Sequence, residues 1–202
     1  MDSCRIPIKN FPDPKTDTAL TPSSTEKRVV LAGGCFWCVE AVFRDLKGVS
    51  SVRNGYAGDS ASTANYRAVC SGATNHAEVI EVRYDASQTT LGQLLKIFFS
   101  VAHDPTQLDG QGNDVGRQYR SAIFYADDEQ KKIAEAYIRQ LNEARVFRDP
   151  IVTTLEPLET FHVAEEYHQD YAARNPNQPY ILFVAQPKVE KLRENFRDRL
   201  KK

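Results

Sequence analysis

The stretch GGCFWCVE, residues 33–40, sets two cysteines three positions apart around a Phe-Trp pair, directly after two glycines. It also contains the chain's single tryptophan, Trp37. Two thiols so placed suit three chemistries: a metal pair, a thioredoxin-like redox pair, or a nucleophile with its own reductant beside an aromatic pocket. The metal is the poorest fit. One CxxC supplies two ligands, the four histidines (His76, His103, His162, His168) are scattered, and HVAEEYH is only superficially like HExxH. No metal site and no cofactor is expected.

Cys35 stands between a strand-like run, KRVVLA (27–32), and a helix marked by Val39, Val42, Phe43 and Leu46 at i, i+3, i+4 and i+7. A cysteine at a helix start meets unpaired backbone N–H groups and the positive end of the helix dipole, which favour a thiolate. Cys35 is therefore the expected nucleophile. A free cysteine is otherwise often a small buried apolar residue; the strand–Gly-Gly–helix setting argues against that reading here.

The elements that must position these residues follow from periodicity. VSSVRNGYAG (49–58) reads as a weaker strand, and HAEVIEVRYD (76–85) as a strand with Ile80, Val82 and Tyr84 on one face. Thr90 can cap a helix carrying Leu91, Leu94, Leu95 and Phe98. YRSAIFYA (119–126) is a third strand, Asp127 or Asp128 opens a helix to about Ala144, and IVTTLEPL (151–158) is strand-like. PKVEKLRENFRDRL (187–200) is an amphipathic helix with Pro187 in its first turn. This order predicts an α/β (α+β) sandwich, a mixed sheet with a ferredoxin-like split βαβ core and helices packed on it. Residues 1–26, with four prolines, read as an extended N-terminal arm that either wraps the domain through Ile6, Ile8 and Phe11 or stays loose. The expected division is the arm, a catalytic domain over 27–186, and the C-terminal helix over 187–202.

Composition bounds the partners. The chain has 202 residues, 26% charged, with a formal net charge of -1, which argues against electrostatically driven nucleic-acid binding. No apolar run reaches membrane-spanning length and MDSCRIPIKN lacks the apolar core of a secretory signal. A cytoplasmic, reducing setting and a monomer are the expectations. The four cysteines (Cys4, Cys35, Cys38, Cys70) are then catalytic or buried thiols rather than structural disulfides.

GCFW is followed by NYRAVCSGATNHAEVIEV (65–82), HDPTQ (103–107), GQGNDVGRQYRSAIFY (110–125) and AEEYHQDYAARNP (164–176). Together these blocks resemble the A-type peptide-methionine sulfoxide reductases, in the family's order from residue 29 to about 185. The resemblance implies thiol-dependent reduction of the S epimer of methionine sulfoxide, free or in proteins, with thioredoxin or another dithiol as reductant. It also implies roles. Glu78, in the HAE position, is the acid; its strand parity with Ile80 and Val82 sets it at the rim of an apolar face, where burial keeps a carboxyl protonated. Tyr66 and Tyr119 match tyrosines that hydrogen-bond the sulfoxide oxygen, and Asp114 a carboxylate that orders the site. Phe36 and Trp37 would receive the methyl group.

Asn75 and Gly110 depart from the family pattern, in which glycine and often arginine stand there. No cysteine follows Cys70, although many family members draw resolving thiols from the C-terminal tail, where this chain has Ile181. Cys38 is therefore the expected resolving cysteine, condensing with a Cys35 sulfenic acid to a disulfide that thioredoxin reduces. Cys70 reads as structural, and Cys4 would need the arm to fold back. Two other readings remain: a general CxxC thiol-disulfide oxidoreductase, and a ferredoxin-like binding module with structural cysteines.

Overall fold

The computed structural model describes residues 4–201; Met1–Ser3 of the expected arm and Lys202 of the expected C-terminal helix lie outside the described residues. Strand β1 (Glu26–Gly33) leads through Gly34 and Cys35 into helix α1 (Phe36–Phe43), then β2 (Val49–Ala57), a short α2 (Tyr66–Cys70) and β3 (Ala77–Asp85). Helix α3 (Leu91–Ile97), a hairpin of β4 (Gly110–Gln111) and β5 (Asp114–Val115), β6 (Ser121–Tyr125), α4 (Asp128–Glu143) and β7 (Thr154–Pro157) follow. The chain closes with β8 (His162–Val163), α5 (Tyr171–Arg174) and α6 (Gln186–Asn195).

The main sheet runs β7-β6-β1-β3-β2-β8. Its four central strands are antiparallel neighbours, and β7 alone joins in parallel, along β6. The order β6-β1-β3-β2 is that of a split βαβ core, as the element order predicts. Alternation then sorts side chains by face. Ile80, Val82 and Tyr84 of β3, with Val29 and Leu31 of β1, enter the main core beneath α1, α3 and α4. Val79 and Ala77 join Val30, Ala32 and Phe124 in a smaller cluster on the other face, covered by Leu158 and Phe161. Glu81 points the same way as Val79. Burial alone would raise its pKa, but hydrogen bonds from Arg53 and Arg83, with Arg28 beside them, hold it down.

Helix starts follow the caps that the sequence offers. The Thr90 hydroxyl accepts the Gln93 amide at 3.2 Å and Asp127 accepts that of Gln130 at 2.8 Å. Ends were less legible. The helix after Thr90 continues past Ile97 as a π-helical turn, Phe98–Ala102, and the C-terminal helix stops at Asn195 rather than 200. The strand expected over 151–158 pairs only over Thr154–Pro157, because the amide of Val152 donates to Pro105 O at 2.8 Å outside the ladder.

The arm wraps the domain. Phe11 is 2% exposed; Ile6 and Ile8 pack on the same core. Asp17 takes the Thr90 hydroxyl at 2.5 Å and the Gly92 amide at 2.8 Å, closing over the start of α3. At the other end Leu192 and Phe196 enter that core too. The expected three parts therefore share one hydrophobic core.

Candidate active site

Two glycines let two loops close on Cys35. A Cβ on Gly33 would meet the Phe98 and His103 rings at 3.0 and 3.2 Å. One on Gly34 would lie 2.5 Å from Gln111 Cγ, and Gly34 has φ +86°. Gln111 is itself fixed: it accepts the Asp104 amide at 3.0 Å and donates to the Asp104 carbonyl at 2.6 Å. His103 is neutral, its pKa pushed down to about 3 chiefly by burial. Its Nδ1–H donates to Phe98 O at 3.0 Å, so Nε2 accepts the Ser121 hydroxyl at 2.6 Å.

Cys35 is the N-cap residue of α1 and 8% exposed. The amides of Cys38 and Val39 donate to its carbonyl, while that of Phe36 donates to Glu78 Oε2 at 3.0 Å. This corrects the expectation of a ready thiolate. Burial, then Cys38 and Glu78, push the Cys35 thiol well above its ordinary pKa. Cys38 moves the other way: the Cys35 thiol donates to it and the Lys188 ammonium favours its charged form, against the effect of burial. Of the two thiols, Cys38 is the one whose ionisation the surroundings favour.

Glu78 sits where strand parity places it. It is 2% exposed, next to Tyr56 of β2 in the register, and burial raises its pKa to about 8, with Asp114 and Cys38 adding to the rise. It is therefore a carboxylic acid at neutral pH. Since Oε2 accepts the Phe36 amide, Oε1 is left to carry the proton.

Tyr66 and Tyr119 come together with these groups: each is electrostatically coupled to Glu78 and Cys35, and burial keeps both hydroxyls protonated. Tyr66 opens α2, its amide donating to Glu165 Oε1 at 2.9 Å. Tyr119 follows Gly116, whose φ of +137° turns the chain out of the β4–β5 hairpin. Asp114 accepts the Tyr180 hydroxyl at 2.5 Å, and that oxygen lies 3.8 Å from Cys38 Sγ. Trp37 is half-buried, stacked on Tyr171 at 3.8 Å and 10°, and its indole N–H donates to His168 Nδ1 at 3.2 Å. Phe36 is 1% exposed, its ring against Tyr56 and His168. It lies in the floor of the site, not in an open wall.

The sequence reading missed Tyr171, Tyr180, His168 and Glu165. Glu165 accepts both the Tyr66 amide and the Tyr56 hydroxyl, and His168 packs against Phe36, Trp37 and Tyr66. Three of the four lie in the AEEYHQDY block, whose density of polar and aromatic residues was the available signal. Cys70, read as structural, stands beside the Tyr66 and Tyr119 hydroxyls, and burial raises its thiol. Ile181 packs against Cys35 and Cys38, so the tail does reach the thiols, with an apolar side chain. Cys35, Cys38 and Cys70 are free thiols, and no group of three metal-ligating side chains occurs among the described residues.

The family model "Peptide methionine sulfoxide reductase" matches residues 27–200. Peptide methionine sulfoxide reductase MsrA 2 of a Synechocystis strain is 50% identical over 196 residues, 96% of this chain and 91% of that protein. Reduced Mxr1 from Saccharomyces cerevisiae has a TM-score of 0.70 at 35% identity, covering 81% of this chain and 92% of that one. The structure of Mxr1 in complex with Trx2 gives 0.50 at 28%, covering 78% and 91%. With the family's motifs gathered around Cys35 and its pattern matched along most of the sequence, the chain belongs to the peptide methionine sulfoxide reductase family.

Proposed function

We propose that the protein reduces the S epimer of methionine sulfoxide, free and in proteins, through Cys35, and recycles through a Cys35–Cys38 disulfide opened by thioredoxin. The observation that carries this reading is the pairing of a buried thiol with a buried, protonated carboxyl, joined through the Phe36 amide at 3.0 Å. Reducing a sulfoxide needs a soft nucleophile for sulfur and an acid for the departing oxygen, and Cys35 and Glu78 supply one each.

In the first step the Cys35 sulfur attacks the sulfoxide sulfur while Glu78 protonates the oxygen. Tyr66 and Tyr119 donate hydrogen bonds to that oxygen as charge grows on it. The methyl group rests against Trp37 over the floor made by Phe36. The hydroxyl then passes to the Cys35 sulfur as the bonds from the methionine sulfur to that hydroxyl and to Cys35 both break, leaving a Cys35 sulfenic acid and the free thioether, and Glu78 recovers a proton as the thiol loses its own. In the second step Cys38 sulfur bonds to Cys35 sulfur, the S–O bond breaks and water leaves. Thiol exchange with a dithiol then restores both cysteines. The yeast relative's complex with Trx2 supports thioredoxin in that place. The reading keeps the protein a monomer in the reducing cytoplasm, where free thiols persist.

The test separates the two steps. Cys35→Ser abolishes S-epimer reduction with dithiothreitol while the fold stays intact. Cys38→Ser still reduces about one equivalent per enzyme, since the chemical step needs Cys35 alone, then stalls with thioredoxin. Activity confined to the R epimer sinks the substrate assignment. Normal thioredoxin turnover by Cys38→Ser, or a Cys35–Cys70 link on peptide mapping, transfers the resolving role to Cys70, whose place beside the two tyrosines is the one observation in its favour.

A further inference from the structure

Lys188 takes no part in the steps above, yet its ammonium is turned inward. It is half-buried in the first turns of α6, and Nζ donates to the carbonyl of Ala102, a fully buried residue, at 2.7 Å. Among the described residues it has no ion-pair partner. A cation withdrawn from water toward a single backbone carbonyl is costly unless an anion lies near. Its surroundings locate that anion. Ala185, one helical turn before Lys188, packs with Cys35, Cys38 and Ile181, and Val184 lies against the same cluster. On the far side Ala102 precedes His103, which packs on Gly33 and is held neutral. Of the two thiols in this cluster, Cys38 is the one whose charged form the ammonium favours.

We infer that Lys188 is a positioning residue for recycling: its ammonium holds Cys38 as the thiolate that attacks the Cys35 sulfenic acid. The inference rests on the reading of Cys38 as the resolving cysteine. Before turnover the Cys35 thiol also supports the Cys38 charge, but that thiol is consumed in the first step. Lys188 is the support that persists. In the step it serves, the Cys38 thiolate forms the S–S bond, the S–O bond of the sulfenic acid breaks, and the hydroxide leaves as water with a proton from Glu78. Asp114, facing Cys38 through Tyr180, acts against the thiolate, which makes the cation the more necessary.

A thiol's pKa and its nucleophilicity move together, and this gives the inference a signature. Removing the charge raises the Cys38 pKa and so lowers the thiolate fraction at neutral pH; for a fall of about tenfold, each remaining thiolate becomes about threefold more reactive. Lys188→Met is therefore expected to form the disulfide about threefold more slowly than wild type near neutrality and about threefold faster than wild type at alkaline pH, where ionisation of Glu78 slows both proteins alike. The two pH profiles cross. Lys188→Arg keeps the wild-type profile. The measurement is a single turnover with S-epimer substrate and no external thiol. Trp37 fluorescence follows the disulfide, and a sulfenate-trapping reagent follows its precursor. A purely structural role slows every pH alike or lowers the thermal midpoint, and does not cross the profiles. Superimposed or parallel profiles with a mapped Cys35–Cys38 link overturn this inference alone. A wild-type Cys35–Cys70 link overturns the resolver assignment, and this inference with it.

Discussion

Glu78 shows how one residue's environment sets its chemistry. The same strand carries Glu81 three positions on, facing away, where three arginines keep it ionised. Glu78 faces the core, meets no cation among the described residues, and holds its proton to about pH 8. Glu78→Gln keeps the shape and accepts the Phe36 amide but cannot give up a proton. The rate of sulfoxide reduction should fall about 10²–10⁴-fold, and the wild-type loss of rate above about pH 8 should vanish from its profile. Stability supplies an independent check with a definite sign. The folded protein binds the Glu78 proton more tightly than the unfolded chain does, so wild-type stability is lost relative to Glu78→Gln as pH rises from about 4.5 to 8. Equilibrium unfolding of both proteins across that range should show the gap widening, then levelling. A gap that does not change with pH would mean Glu78 is ionised throughout.

At the scale of elements, the junction between β1 and α1 is a meeting of three segments. The Gly-Gly turn, the segment through His103, and the β4–β5 hairpin approach so closely that side chains are excluded at two successive positions. Gly34→Ala meets both a left-handed backbone and Gln111 Cγ at 2.5 Å. The expected cost is roughly 1–3 kcal/mol, read from the denaturation midpoint, with a loss of single-turnover rate because Cys35 is the next residue. Gln111→Ala in the same chain removes the collision but not the backbone strain, so it should recover part of the stability non-additively. Complete recovery would assign the whole effect to the side chain. The departures from the family pattern belong to this scale. Asn75 Oδ1 accepts Arg117 Nη1 at 3.1 Å, tying the loop before Glu78 to the turn that carries Tyr119. A Cβ at Gly110 would meet the Asp114 carbonyl at 2.8 Å, so glycine lets this hairpin close as it does.

Across the whole molecule, the N-terminal arm is part of the core that supports the site. Phe11 is buried against Phe147, ring centroids 6.0 Å apart. Cys4 bridges to Phe147, and the Arg5 amide donates to Val146 O at 2.7 Å. Phe11→Ala should cost about 3–5 kcal/mol on urea denaturation, while the pH profile of the folded enzyme stays that of wild type. A cost below about 1 kcal/mol would mean that the arm contributes little to the core in solution. At the opposite end the main chain of Lys47 pairs with Arg199 and that of Asp45 with Lys201. The C-terminal segment thus braces the α1–β2 connection that follows the thiols, and the arm braces the loop after α4.

Periodicity and spacing by themselves determined the split βαβ order, the helix start after Cys35, and the inward face of Glu78. Each depends on backbone repeats of 2 or 3.6 residues that a short window contains. The family motifs likewise marked Tyr66, Asp114 and Tyr119. Tertiary structure alone decided that Phe36 is floor and Trp37 the half-open face, since both are aromatic and adjacent in the sequence. It decided the thiol pair as well. A helix start by itself favours a Cys35 thiolate, whereas the folded chain surrounds Cys35 with apolar groups, Glu78 and Cys38, and raises its pKa. Tyr180, His168 and Lys188 gained their places through contacts that span 66 to 142 residues of sequence. Charge and desolvation act through space with no period along the chain, so these contributions have no local sequence signature.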